Sequence, residues 1–130
     1  MSIPITTTFA ALFILMGLAL TIRTIGGRRN AGVSVGDGGD ETLHRLMRAH
    51  SNFIETVPLL LVGMLLIEIN GVASWWLVLL GLALLAARIS HAIGMEYRYP
   101  NIPFRLVGMA TTLLVFVLVA LTLLVQVALG

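Results

Sequence analysis

An all-α integral membrane protein, a four-helix bundle, is the fold class that three observations predict. Hydrophobic residues make up 58% of the 130-residue chain, charged residues only 11%, and mean hydropathy is +1.02. A soluble domain of this size has too much surface to cover with so few charges. A disordered chain needs the opposite composition, low hydrophobicity with high charge. The few charges are also clustered, and the runs between them are long enough to cross a hydrocarbon core of about 30 Å. Four spans of about 20 residues each leave material for loops and helix ends but not for a second domain, so residues 1–130 read as one transmembrane unit.

The elements follow in order. Residues 1–22 carry no charge and Arg23 closes the run, which predicts a first helix over about 3–23. It lacks a basic leading region and its apolar stretch is too long for a signal sequence, so it reads as a span. Residues 24–40, TIGGRRNAGVSVGDGGD, are rich in Gly and polar residues and predict a flexible loop. Asp40 or Thr42 can cap a second helix over about 41–69. Its first half is polar, its second half is apolar, and Pro58 predicts a kink. Asn70-Gly71 signals a turn. A third helix is predicted over about 72–94, with Trp75 and Trp76 suited to an interfacial belt. Pro100 and Pro103 make the next loop irregular, and a fourth helix runs over about 104–129.

Arginine placement sets the expected orientation. Arg23, Arg28 and Arg29 flank the first loop, Arg98 and Arg105 the third, and the second carries none. The positive-inside rule then puts loops 1 and 3 in the cytoplasm and both termini outside. This distribution accounts for the net charge of +2 better than a nucleic-acid partner does. All basic residues are Arg, and Cys is absent, which excludes disulfides, thiolate metal sites and a cysteine nucleophile. His44, His50 and His91 lie on separate faces and do not form a metal site. Phosphate loops, hydrolase elbows, HExxH and dinucleotide fingerprints are all missing.

The informative constellation lies in the second helix. Arg45, Arg48, Asn52 and Glu55 are spaced by three, four and three residues, which places them within an arc of about 80°. If Glu68 marks the outer boundary, Glu55 lies about 20 Å inward and Arg48 about 30 Å, so Glu55 falls inside the hydrocarbon core. A charge there costs at least about 2.5–3.5 kcal/mol and needs a partner. Arg88 and His91 near the end of the third helix, Arg105 opening the fourth and Arg23 closing the first reach the same level. The inferred object is a cationic pocket with one buried carboxylate, open to the cytoplasm. An ion-pair staple of Arg48, Glu55 and Arg88 is the alternative, although it leaves the surplus of Arg over acids unexplained. That surplus suggests an anionic ligand. His50 points away from the Arg48/Asn52 stripe and reads as an interhelical hydrogen-bonding residue, and Glu68 reads as interfacial only.

The run RLMRAHSNFIETVPLLL resembles the MAPEG family, the membrane-associated proteins of eicosanoid and glutathione metabolism, through R-x-x-R-A-x-x-N-x-x-E followed closely by Pro. In this chain the pattern is Arg45, Arg48, Ala49, Asn52, Glu55 and Pro58. The segments ARISHAIG and NIPFRLVG and the order of spans and loops also look like the family, and the length suits its small bacterial members, which implies the inner membrane. The resemblance implies a homotrimer with glutathione bound between subunits near the cytoplasmic face. Arg48, Asn52 and Glu55 would hold the peptide, Glu55 receiving its ammonium. Arg88 and His91 would line the site, and Arg105, or alternatively Arg98, would stabilise the thiolate. Catalytic members often carry Tyr one turn after His91, where this chain has Met95, and Tyr97 is the nearest substitute.

Three functions compete. The leading expectation is a glutathione-dependent transferase or peroxidase for lipophilic electrophiles that arrive from the bilayer between helices 1 and 4. The second is a non-catalytic scaffold of the same fold that binds lipid or glutathione. The third, a small proton-coupled exporter, needs a deep acid free of arginines, and Glu55 sits among them.

Overall fold

The computed structural model describes residues 3–95 and 101–129, and these form four long helices: α1 (Pro4–Ala31), α2 (Glu41–Ile69), α3 (Ser74–Gly94) and α4 (Ile102–Leu129). Each is long and apolar enough to cross a membrane. The bounds of α2 are as the sequence predicts, and Asp40 is its cap, Oδ1 accepting from the Leu43 N–H at 2.8 Å. α3 starts two residues late. α4 starts two residues early because Pro103 sits in its first turn, where a missing N–H costs nothing. Asn101 Oδ1 accepts from the Phe104 N–H at 3.2 Å and caps that turn.

The first helix departs most from expectation. It continues past Arg23 to Ala31, so residues 24–31 are helical rather than loop. Gly26 and Gly27 do not break it. A side chain at Gly27 would meet Leu46 at 2.8 Å and Leu43 at 3.2 Å, so the glycine is a close-packing residue against α2. Gly32, at φ 68°, ends the helix, and Arg28 and Arg29 occupy the last turn, where they suit the negative helix end. The remaining loop is tied down. Arg28 donates to the carbonyls of Ser34 (3.4 Å) and Gly36 (2.8 Å). The Asp37 carboxylate accepts from the Gly39 N–H at 3.0 Å and lies 2.7 Å from His44 Nδ1. The Gly39 amide first, and then His44, hold this carboxyl below its usual range against a smaller opposing effect of burial.

α1 packs along α2, and α3 along α4, while α2 meets α4 and, less extensively, α3. The core is the apolar stripe shared by all four, built from Phe9 and Phe13 on α1, Phe53, Leu60 and Met64 on α2, Leu80 and Leu84 on α3 and Val115 on α4. Phe9 and Phe13 stack at 6.5 Å, and Phe13 meets Phe53 at 6.3 Å. The Phe9 ring lies over Gly81, where a larger residue would collide with it. Small residues also set the α3–α4 contact. A Cβ on Gly108 would sit 2.6 Å from the Ala87 carbonyl and the His91 nitrogen, and one on Gly94 would strike the Arg105 backbone. Membrane helices gain their association from such close backbone approach rather than from burial of apolar area.

Among the described residues α1 and α4 do not touch. They occupy opposite flanks of the protomer, so the expected substrate path between helices 1 and 4 is not a groove within one protomer. Both carry outward apolar faces, Ile14, Leu15 and Leu18 on α1 and Leu113, Leu114 and Val117 on α4. Glu68 does more than sit at the interface. Its carboxylate accepts from the N–H groups of Ile5 (2.9 Å) and Thr6 (2.7 Å), which caps α1 from the far end of α2.

Gly108→Val should therefore push α3 from α4 and destabilise the protein by about 1–3 kcal/mol, read as an earlier thermal unfolding in detergent. An unchanged transition would mean that the seam is not close-packed. The Asp37 tie has a defined pH dependence. Its carboxyl titrates lower folded than unfolded, so its contribution is full above the unfolded carboxylate range and is lost as pH falls through the folded value. Hydrogen exchange at the Gly39 amide should be faster in Asp37→Ala than in wild type at neutral pH. Equal rates would show that the tie does not order the loop.

Candidate functional site

The polar half of α2 is where an amphipathic helix meets the ends of α3 and α4. α3 brings His91 on its buried face and ends at Gly94, with Met95 as its C-cap. α4 begins with Arg105 in its first turn, held close to α3 because Gly94 admits the Arg105 backbone. The Ser90 hydroxyl donates to the Phe104 carbonyl at 2.8 Å and fixes the same junction. The result is a cleft of about 500 Å³ between α2, α3 and α4. Arg45, Arg48 and Asn52 line it from α2, His91 from α3 and Arg105 from α4, all of them expected from the sequence. His44, Met95, Leu106 and Met109 complete the wall. Of these four, Met95, Leu106 and Met109 stand at positions where the family resemblance puts Tyr or Ser in catalytic members, while His44, one residue before Arg45, was expected to be interfacial only.

No carboxylate belongs to the lining among the described residues. Arg45 pairs with Glu41 one turn earlier, at 3.3 Å and outside the cleft. Arg48 and Arg105 have no acidic partner among the described residues. The guanidiniums of Arg88, Arg105 and Arg48 all bear electrostatically on His91. Such a cleft favours an anion, and its Leu and Met wall favours an apolar part of the same or a second molecule.

Two expected residues are placed differently. Arg88 does not line the cleft. It is only 2% exposed and lies behind Asn52, its Nη1 donating to Asn52 Oδ1 at 2.7 Å and to Thr56 Oγ1 at 2.9 Å, while Nη2 has no partner among the described residues. A guanidinium only donates, so it fixes the Asn52 amide with its oxygen inward and Nδ2 toward the cleft, 3.7 Å from the Met109 sulfur. Thr56 in turn donates to the Asn52 carbonyl at 2.7 Å. Glu55 is the second correction. It is exposed on the outward flank of α2 and not buried in the pocket, and the staple with Arg48 and Arg88 does not form within the protomer. Asn52 and Thr56 turn inward to Arg88, and Glu55 lies about 60° from the first and about 100° from the second.

Arg23 lines a different cavity of about 440 Å³ between α1 and the start of α2, with Asn30, Asp40 and Thr42. Arg98 and Tyr97 lie outside the described residues. His50 forms the interhelical bond expected of it, Nε2 lying 3.1 Å from Thr21 Oγ1. The Thr21 hydroxyl already donates to Gly17, so the histidine nitrogen is the donor.

The Arg88 network predicts unequal costs. Thr56→Val removes one of two acceptors from a buried cation and should cost about 1–3 kcal/mol of stability. Asn52→Leu should cost more, about 3–5 kcal/mol, as expected when a buried charge loses its main partner. Thermal unfolding of the two variants checks the order, and a milder effect for Asn52→Leu would show that Asn52 is not the principal partner.

The sequence model of the MAPEG family matches residues 6–125. Among curated proteins, the "Inner membrane protein YecN" of Escherichia coli strain K12 is 33% identical over 90 residues, which is 69% of each chain. The protein of the same name from Escherichia coli O6:H1 matches to the same extent. No solved structure matches.

Proposed function

The chain belongs to the MAPEG family, and from that premise and the arginine cleft we propose that it is a membrane-bound glutathione-dependent transferase or peroxidase acting on lipophilic electrophiles. The observation that carries this reading is the convergence of Arg45, Arg48 and Arg105 with Asn52 and His91 on one cleft whose described lining contains no acid. Glutathione has two carboxylates for Arg45 and Arg48, amide groups for Asn52, and a thiol for Arg105. A thiol with pKa near 8.5–9 is mostly protonated at pH 7. A guanidinium in the first turn of α4, beside the positive end of that helix, favours the thiolate. The proton leaves to water, and the sulfur forms the new bond as the leaving group departs with its electron pair. Arg98 is the alternate thiolate partner, and Tyr97 or Tyr99 the tyrosine that would stand in for the one missing at Met95.

The protein is proposed to act as a homotrimer in the bacterial inner membrane, the location that the name of the YecN relative gives for that protein. Loops 1 and 3 are assigned to the cytoplasm. The exposed Glu55 supports assembly, because an ionisable group on a lipid-facing flank costs about 2.5–3.5 kcal/mol or more, and a second copy laid over it removes that cost. There Glu55 can receive the glutathione ammonium, and Arg23 of the adjoining copy can approach the same ligand. Electrophiles or lipids enter from the bilayer between α1 of one copy and α4 of the next, where apolar side chains already face outward.

Met95 favours a second reading, a non-catalytic scaffold that binds glutathione or lipid. It lines the cleft where catalytic relatives often carry tyrosine, and a thioether donates no hydrogen bond to a thiolate. Near-ultraviolet difference absorbance on adding glutathione to the detergent-purified protein distinguishes the two. The catalytic reading expects a thiolate band in wild type. In Arg105→Ala it expects a loss of the band and a fall in turnover of a chromogenic aryl halide of roughly tenfold or more, with affinity nearly unchanged. Bound glutathione with no thiolate at any accessible pH would establish the scaffold instead. Glu55→Gln should weaken glutathione binding by about 1.5–3 kcal/mol, measured by calorimetry. Unchanged affinity in a folded variant would remove the carboxylate from the site, and a stable monomer in native mass spectrometry would refute the trimer.

A further inference from the structure

The arginine cleft is rich in donors and poor in acceptors. Arg45, Arg48 and Arg105 only donate, and Asn52 keeps its oxygen on Arg88 with Nδ2 toward the cleft. A thiol that becomes a thiolate must hand its proton to a lone pair, and these groups offer none. Two imidazoles remain in the lining, His91 and His44. His91 is faced by the guanidiniums of Arg88, Arg105 and Arg48, and no carboxylate bonds to it among the described residues. His44 has one. Its Nδ1 lies 2.7 Å from Asp37 Oδ2.

Asp37 decides what this imidazole can do. Its Oδ1 accepts from the Gly39 N–H at 3.0 Å, and its backbone carbonyl accepts from the Asp40 N–H at 2.9 Å. Arg28 holds the same loop through the Gly36 carbonyl, so the carboxylate is fixed independently of His44. The Gly39 amide and then His44 keep the Asp37 carboxyl below its usual range, so it is ionised at neutral pH. A carboxylate only accepts. The ring hydrogen of neutral His44 is therefore on Nδ1, and its lone pair is on Nε2. Asp37 stands outside the cleft lining while His44 belongs to it, so the ring bridges the loop and the cleft. The His44 side chain is also exposed, which leaves a proton on it a way out to water.

We infer that His44 is the proton acceptor of the cleft, taking the thiol proton of glutathione on Nε2, with Asp37 as the positioning residue behind it. This rests on the glutathione reading of the cleft and adds the route by which the proton reaches water. The S–H bond breaks, its electron pair stays on the sulfur beside Arg105, and the proton forms the Nε2–H bond. The resulting imidazolium keeps its Nδ1–H on the Asp37 carboxylate, which offsets the new charge. Water then takes the Nε2 proton and returns His44 to its neutral form. Arg105 thus sets how much thiolate is present, and His44 sets how fast it appears.

Stopped-flow absorbance of the thiolate, on mixing the detergent-purified full chain with glutathione in weak buffer, separates rate from amount. His44→Gln should slow the appearance of thiolate roughly tenfold or more, with the final amplitude at the same pH unchanged. His44→Ala should do the same, and free imidazole added to that variant should restore the rate, because a base is missing and not a shape. Asp37→Asn should slow the rate by a smaller factor, since the base remains and only its counter-charge is lost. An unchanged rate in His44→Gln, or no rescue of His44→Ala by imidazole, would overturn the proposal and leave the glutathione reading standing. A reduced amplitude at an unchanged rate would make His44 a ligand-holding residue and would overturn it as well. No thiolate in wild type would overturn both readings together.

Discussion

Burying Arg88 without a carboxylate constrains the whole polar end of the molecule. A guanidinium at that depth is tolerable only if neutral acceptors are brought to it. Asn52 and Thr56 supply them one helical turn apart, which fixes the rotation of α2 about its axis. That rotation decides the rest. Asn52 faces inward with its amide nitrogen toward the cleft, Arg45 and Arg48 come to the cleft wall, and Glu55 is carried to the outside. Arg88 thus shapes the ligand-facing surface from behind it, as a positioning residue. Because both of its acceptors are uncharged, its positive charge is left unneutralised behind the floor of the cleft.

The glycine seam between α3 and α4 is the other half of this arrangement. Arg105 is the α4 residue whose backbone crosses Gly94, and His91 stands where Gly108 crosses α3. The two glycines therefore set the separation of His91 from Arg105 through the backbone, without help from the side chains themselves. A site built on rigid helix contacts holds its geometry better than one built on loops. The packing that membrane helices require for association here also fixes the spacing of the charged groups.

Much of this could be read from the sequence, and the failures have physical causes. The bounds of α2, the four spans and the meeting of α2, α3 and α4 at one polar level follow from hydropathy and from counting residues along helices. α1 was harder, because a glycine such as Gly27 looks the same as loop punctuation and as a helix-packing residue, and only the neighbouring Leu43 and Leu46 distinguish the two roles. Glu55 shows the limit of helical arithmetic. Its arc is correct, but the edge between buried and exposed faces runs through that arc, between Asn52 and Glu55, and its place depends on Arg88 from another helix. Arg88 reaches Asn52 and Thr56 on α2 rather than the cleft, since spacing along α3 gives no information about which neighbour its side chain reaches. The role of Glu68 has no local signal at all, because its partners lie 62 and 63 residues away.

The Glu68 clamp on the first turn of α1 has a consequence for how the protein is made. Residues 5 and 6 are synthesised first, but their N–H groups find their partner only when residue 68 has left the ribosome and α2 has crossed the bilayer. Until then the N–H groups of Ile5 and Thr6 have no partner within the helix, and the start of α1 has no fixed register against α2. The α1–α2 hairpin is therefore completed by its last-inserted turn, and an incomplete hairpin differs from a finished one in the bare N–H groups at the start of α1. Biogenesis of the first half of the chain is set by a carboxylate near that half's end, before α3 and α4 are available to pack.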